Sequence, residues 1–220
     1  LIIFNSPGNP TGGVVPEEEF EKLANGLQKH PNIFILSDEI YSRIIFDGNN
    51  HKSLLSYPQI KDRVIVLDGW SKTYSMTGWR LGYGIFPKKI FSFAEKLAIN
   101  CHSCVNTATQ IAGIEALEGS QVQVERMIKE FQKRKNFMVK ELNKINNIQC
   151  VNPGGAFYVF PKIFKENYNS KQISHDLLEK KFLATVPGSS FGAKGEGFLR
   201  LSYASKIENL KKAIYLIKEF

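Results

Sequence analysis

Three short apolar runs, at residues 2–4, 33–36 and 64–67, are each followed by a polar cluster, and this recurrence limits the possible folds more than any other feature. The clusters are Asn5-Ser6-Pro7-Gly8-Asn9-Pro10-Thr11-Gly12, Leu36-Ser37-Asp38-Glu39-Ile40-Tyr41 and Gly69-Trp70-Ser71-Lys72-Thr73-Tyr74. Successive runs lie roughly 30 residues apart, the length of a strand plus a crossover connection. The first interval carries a helix pattern. Pro16 opens it, Glu17, Glu18 and Glu19 complement the positive end of the helix dipole, and Phe20, Leu23, Ala24 and Leu27 form one apolar stripe before Pro31. A fourth run at 82–86 reads as another strand. Strands alternating with helices in this way predict an α/β fold built on a mostly parallel sheet.

Beyond residue 90 the pattern changes. Residues 90–117 read as mixed helix and loop, and 121–145 as one long helix in which Ile128, Phe131, Met138, Leu142 and Ile145 form a stripe interrupted by Lys135. Cys150-Val151-Asn152-Pro153-Gly154-Gly155 is a turn signal, followed by strands predicted at 156–160, 183–186 and 198–203 and a helix at 172–181. The last helix is expected to begin at Ser205, with Glu208 three residues on as a capping box. The domain division is placed at 1–118 and 119–220, the second part being a smaller α+β domain.

With 220 residues, 43% of them hydrophobic, the chain can bury a substantial core. No apolar stretch reaches the roughly 20 residues of a membrane helix, and no signal-peptide pattern opens the sequence, so the cytoplasm is the expected compartment. Residues 1–118 hold 11 Lys and Arg against 12 Asp and Glu, and 119–220 hold 18 against 9, so the basic excess belongs to the C-terminal part. Those lysines are scattered along amphipathic helices without interleaved aromatics, which points to a solvated face and not to nucleic-acid binding. Three cysteines, Cys101, Cys104 and Cys150, argue against a disulfide framework, and Cys101-His102-Ser103-Cys104 lacks a second ligand pair, so it reads as ordinary packing and no metal is expected. His30, His51 and His175 read as surface or capping residues.

In open parallel sheets ligands bind beyond the carboxyl ends of the strands, where Asn9, Asp38 and Lys72 fall. The clusters around them, the continuation Ser75-Met76-Thr77-Gly78-Trp79-Arg80-Leu81-Gly82, and Gly197-Phe198-Leu199-Arg200-Leu201-Ser202-Tyr203-Ala204 together resemble the class I/II aminotransferases, which use pyridoxal phosphate (PLP). The resemblance covers nearly the whole chain. In that family a substantial region precedes the Asn-Pro-Thr-Gly motif. The resemblance therefore implies a C-terminal portion, with the second half of the large PLP-binding domain followed by the small domain, and poor PLP binding by this piece alone.

Residue by residue, the resemblance makes Lys72 the Schiff-base lysine and proton carrier, and Asp38 the carboxylate that keeps the pyridine nitrogen protonated. Strand periodicity alone leaves Asp38 and Glu39 open. Asn9 and Tyr41 are implied donors to the phenolic oxygen, Asn9 also contacting substrate; Arg80 and Ser71 are implied phosphate ligands. Gly69 stands where some relatives carry a phosphate-binding serine, so Ser71 or backbone N–H groups are expected to compensate; Trp70 replaces a usually smaller residue. Arg200 is the implied grip on the substrate α-carboxylate, and Pro187-Gly188-Ser189-Ser190-Phe191-Gly192 resembles a loop near the substrate mouth. The implied function is PLP-dependent transfer of an amino group from an L-amino acid to a 2-oxo acid, by a homodimer in amino acid metabolism. A fold-related lyase or decarboxylase and a non-catalytic effector domain remain alternatives.

Overall fold

Strands β1 (Ile2–Asn5), β2 (Ile35–Asp38) and β3 (Val64–Gly69) lie parallel and side by side in the computed structural model, which describes residues 1–164 and 168–220. A fourth strand, β4 (Gly82–Ile85), joins β3 in the antiparallel sense, giving the order β1-β2-β3-β4. The predicted mostly parallel α/β sheet is therefore present, with β4 as its reversed member. The register sets Asn5 beside Asp38 and Asp38 beside Leu67, so the polar clusters emerge at neighbouring strand ends.

Helix α1 (Glu17–Gln28) starts where the sequence indicates: Pro16 is its extended N-cap and three glutamates occupy its first turn. It buries Phe20, Ala24 and Leu27 against Ile35, Leu54, Tyr57, Ile60, Val64 and Val66. Each buried Phe, Leu, Ile and Val side chain here contributes on the order of 1.5–3 kcal/mol by leaving water, and this cluster backs the strand ends that carry the polar groups. After the short α2 (Trp70–Thr73) come α3 (Lys88–His102) and α4 (Thr107–Glu118), so the stretch read as mixed helix and loop is two regular helices joined by a brief connection. Strand β4 is exposed at every residue, and α3 buries none of its side chains among the described residues. These elements form a unit of Leu1–Pro7 and Val14–Arg126.

A second unit comprises Gly8–Gly13 and Met127–Phe220. Helix α5 (Val122–Leu142) leads into it, with Phe131, Met138 and Leu142 buried; Lys135, the polar break in its stripe, is fully buried as well. Two small antiparallel sheets follow, β5 (Ile148–Gln149) with β7 (Lys162–Ile163), and β6 (Tyr158–Val159), β9 (Leu199–Ser202) and β8 (Val186–Pro187) in the order β6-β9-β8. Helix α6 (Ser170–Lys181) packs Ile173 and Leu177 against Leu199. The strand expected at 183–186 forms only at Val186–Pro187, where β9 supplies a partner.

Two local expectations are corrected. Helix α7 (Ile207–Lys218) has Lys206 as N-cap with no side-chain cap bond, because Ser205 lies one residue too early and its Oγ accepts from Asn209 Nδ2 at 3.1 Å. The capping box occurs instead on α6, where Asn169 Oδ1 accepts from the Gln172 N–H and Gln172 Oε1 accepts from the Asn169 N–H. Cys101 and Cys104 are exposed and not packed; only Cys150 is buried, its thiol pushed up to about 12 by burial.

Candidate active site

Asp38 is the last residue of β2, and the pleat turns it and Glu39 to opposite faces of the strand. The Asp38 carbonyl accepts from Asn5 Nδ2 at 2.9 Å, and the next N–H, of Glu39, donates to Leu67 O at 2.9 Å, so the peptide between the two acids is held from both neighbouring strands. Asp38 Oδ1 accepts from the Ile40 N–H at 3.2 Å. Burial raises the proton affinity of this carboxyl above the ordinary range; the Ile40 bond and the charge of Lys72 oppose that shift, and the charge of Glu39 adds to it. A half-buried carboxylate in this condition is suited to a cationic nitrogen, because such a partner restores the charge balance that burial removes. An acceptor of this kind fits the pyridinium N–H of PLP.

Glu39 faces the other way and is occupied. Its Oε1 accepts from Ser37 Oγ and Ser53 Oγ, both at 2.9 Å, and from the Leu54 N–H at 3.3 Å, while Oε2 lies 3.0 Å from His51 Nε2. Burial would raise this carboxyl, but the bonds from His51, Ser53 and Ser37 outweigh it and hold Glu39 below the usual range. His51 is thereby corrected from a surface or capping residue to a partner of a buried acid, with only 12% of its side chain exposed. Periodicity could not find this pair, since the only signal is that two polar residues meet across a loop.

Lys72 and Ser71 sit in α2, directly after β3, and Tyr41 is buried just beyond β2. Arg80 adopts a left-handed backbone, φ 58°, and donates from Nη1 to Thr77 O at 2.8 Å. Of the backbone groups expected to compensate for Gly69, two are engaged: the Gly69 N–H donates to Asp68 Oδ1 at 2.6 Å and the Trp70 N–H to Leu81 O at 3.3 Å. The absence of a serine at 69 has a steric cause. A Cβ there would stand 2.8 Å from both Gly82 Cα and Leu81 O, closer than backbone tolerates.

The bulky Trp70 is accommodated by a small residue on α4: its Nε1 donates to Gly113 O at 3.0 Å, and its ring meets Tyr83 edge-on at 5.7 Å. Beside it lies a cavity of about 290 Å³ lined by Arg43, Asp68, Trp70, Tyr74, Tyr83 and Leu117, among others. Asp68, which the sequence reading passed over, lies at this cavity with its proton affinity raised by burial, and accepts from Ser42 Oγ at 3.2 Å.

In the second unit, Arg200 and Asn9 come together. Arg200 projects from β9 opposite Val186 and donates from Nη1 to Asn9 Oδ1 at 2.8 Å. Its guanidinium lies over the Tyr158 ring at 4.6 Å and the Phe191 ring at 5.2 Å, so two aromatic contacts hold the fork. The Asn9 loop closes on itself through Gly8 N–H to Gly13 O at 2.9 Å and Gly12 N–H to Gly8 O at 2.7 Å. Gly12 is required twice over: its φ is +67°, and a Cβ would meet Pro153 Cβ at 2.5 Å.

A sequence profile described as Aminotransferase class I and II matches residues 1–217. The chain belongs to the class I and II aminotransferases. It is 39% identical to the aspartate aminotransferase of Pyrococcus abyssi, across 97% of this chain and 55% of that protein. It is 37% identical to aromatic-amino-acid aminotransferase 2 of Thermococcus litoralis, again across 97% of this chain and 55% of the relative. The crystal structure of the aromatic aminotransferase from Pyrococcus horikoshii OT3 superposes with a TM-score of 0.94 at 37% identity, covering 99% of this chain and 58% of that one. The chain thus spans a little over half the length of these aminotransferases.

Proposed function

We propose that this chain carries the catalytic lysine of a PLP-dependent aminotransferase, which moves the amino group of an L-amino acid to a 2-oxo acid. The observation that carries this reading is the half-buried Asp38 carboxyl, raised by burial and relieved in part by the charge of Lys72. When bound, PLP supplies the electron sink that lets the bond from the substrate α-carbon to hydrogen break. Asp38 holds the proton on the ring nitrogen. Lys72 supplies the amine that carries the cofactor and then moves the substrate proton, while Tyr41 and Asn9 donate to the phenolic oxygen.

Ser71 and Arg80 take the phosphate; Arg80 has guanidinium nitrogens beyond the one bonded to Thr77. Arg200 takes the substrate α-carboxylate as a fork held in one orientation by Asn9, Tyr158 and Phe191, which favours a two-pronged, charge-assisted pair. We place the enzyme in the cytoplasm, as a homodimer serving amino acid metabolism, with residues 1–118 assigned to the cofactor domain and 119–220 to the small domain, although the compact units divide at Arg126 and Met127 and count Gly8–Gly13 with the second. Aspartate and aromatic amino acids, named for the relatives, are the first donors to test.

The decisive experiment supplies each donor to the PLP-loaded full-length protein with and without a 2-oxo acid acceptor. Continuous turnover that requires the acceptor supports amino-group transfer. Product release in its absence would assign a lyase or decarboxylase, and no turnover with any donor would leave a binding domain.

A further inference from the structure

We propose that Glu39, locked by His51 and Ser53, is a positioning residue that fixes the direction in which Asp38 presents its carboxylate. The inference rests on the assignment of Asp38 as partner of the PLP ring nitrogen, and adds to it a residue pair with no contact to the cofactor in that scheme.

The geometry is that of a strand gripped on one face so that the other face cannot turn. Residues 37, 38 and 39 alternate sides, so Ser37 and Glu39 share one face and Asp38 has the other. Four donors from two places converge on the Glu39 carboxylate: Ser37 on the strand itself, and Ser53, Leu54 and His51 from the segment that follows the turn at Asp47 and Gly48. Glu39 is 5% exposed, so each of these bonds is made away from competing water. The backbone adds two more restraints, Asn5 Nδ2 to Asp38 O and Glu39 N–H to Leu67 O. A roll of the strand that re-aimed Asp38 would have to break the Glu39 set, leaving buried donors and a buried charge unpaired.

His51 completes the lock through its tautomer. Its Nδ1 is buried and has no hydrogen-bond partner among the described residues, whereas Nε2 faces Glu39. A proton on Nε2 gives Glu39 a donor and leaves only an acceptor unmatched at Nδ1. Exchanging Glu39 for Gln leaves one oxygen to serve donors that now meet two: with the amide oxygen toward the Leu54 N–H, the NH₂ opposes the His51 Nε2 proton, and with it toward His51, the NH₂ opposes the Leu54 N–H. Glu39→Gln therefore preserves shape and breaks the lock. His51→Gln keeps a donor aimed at Glu39 and is the conservative replacement.

The test measures PLP dissociation constants of the full-length protein by equilibrium dialysis, at a temperature where circular dichroism shows each variant folded. Glu39→Gln and His51→Ala are expected to bind PLP about tenfold more weakly, as when an outer partner of a ligating group is lost, with His51→Gln near the unmodified protein. Adding Glu39→Gln to Asp38→Asn is expected to cause no further loss, because Glu39 acts only through Asp38. Unchanged dissociation constants accompanied only by lower melting temperatures, or losses that add in full to Asp38→Asn, would overturn the positioning role. Should Glu39→Gln not fold, His51→Ala and Ser53→Ala carry the same cycle. Failure of the unmodified full-length protein to bind PLP would sink the cofactor assignment and this inference with it; normal binding with unaltered variants would sink the inference alone.

Discussion

Arg200 donates from Nη1 to Asn9 Oδ1 at 2.8 Å, joining two residues that lie 191 positions apart in the chain. The bond fixes the asparagine amide, since an oxygen facing Arg200 turns the NH₂ end away from it as the donor. It also steadies a guanidinium already held over two rings. Replacing Arg200 by Ala should weaken binding of the carboxylate substrate by about 2–5 kcal/mol, the usual cost of deleting one partner of a desolvated charge pair. Arg200→Lys should recover only part of this, because an ammonium cannot copy the fork. A Michaelis constant unmoved in both variants would remove Arg200 from the substrate site.

Lys72 is assigned the covalent role. Borohydride treatment of the PLP-loaded protein should attach the cofactor to the peptide containing Lys72, and Lys72→Ala should lose both the label and at least about a thousandfold in turnover, as expected when a nucleophile that is also the acid–base group is deleted. Labelling at another lysine would contradict the assignment.

Asp38 predicts a pH dependence whose sign follows from linkage. Burial raises its affinity for a proton in the folded state, so between its unfolded and folded pKa values the native chain holds more protons than the unfolded one. Stability of the cofactor-free protein should therefore fall as pH rises through that window. Asp38→Asn removes the burden and should make the cofactor-free protein more stable than the parent at neutral pH, while turnover collapses. Chemical denaturation at pH 4 and pH 7 measures the difference; an Asn variant less stable at pH 7 would reject the argument.

Gly69→Ser is a test of the steric reading of that position. A Cβ placed 2.8 Å from Gly82 Cα and Leu81 O forces β3 and β4 apart where they pair. The expected outcome is a loss of about 1–3 kcal/mol in unfolding free energy, typical of overpacking. Tighter phosphate binding with unchanged stability would show that the backbone accepts the serine after all.

Asn169→Ala removes the side-chain half of the reciprocal cap on α6, the bond from the Gln172 N–H, and should cost about 1 kcal/mol. Ser205→Ala, at the box expected from sequence, should cost little, because Ser205 makes no bond to the α7 backbone. Urea denaturation of the two variants separates them, and equal losses would argue that Ser205 caps α7 in solution.

Much of this protein is written in local pattern. The stripe of Phe20, Ala24 and Leu27 and the apolar runs ending near Asn5, Asp38 and Leu67 identified the helices, the strands and the parallel α/β class, because burial of one face repeats at the period of the element. The clusters at the strand ends were legible for the same reason. What the tertiary structure decided depends on residues far apart: the reversed direction of β4, the membership of Gly8–Gly13 in the second unit, the Trp70 indole bonded to Gly113, and the capture of Glu39 by His51. Even the failure of Ser205 to cap α7 turned on where the first helical residue falls by a single position. Periodicity reports which side of an element is buried; it carries no record of which distant group waits there, and hydrogen bonds and steric contacts are set by that second fact.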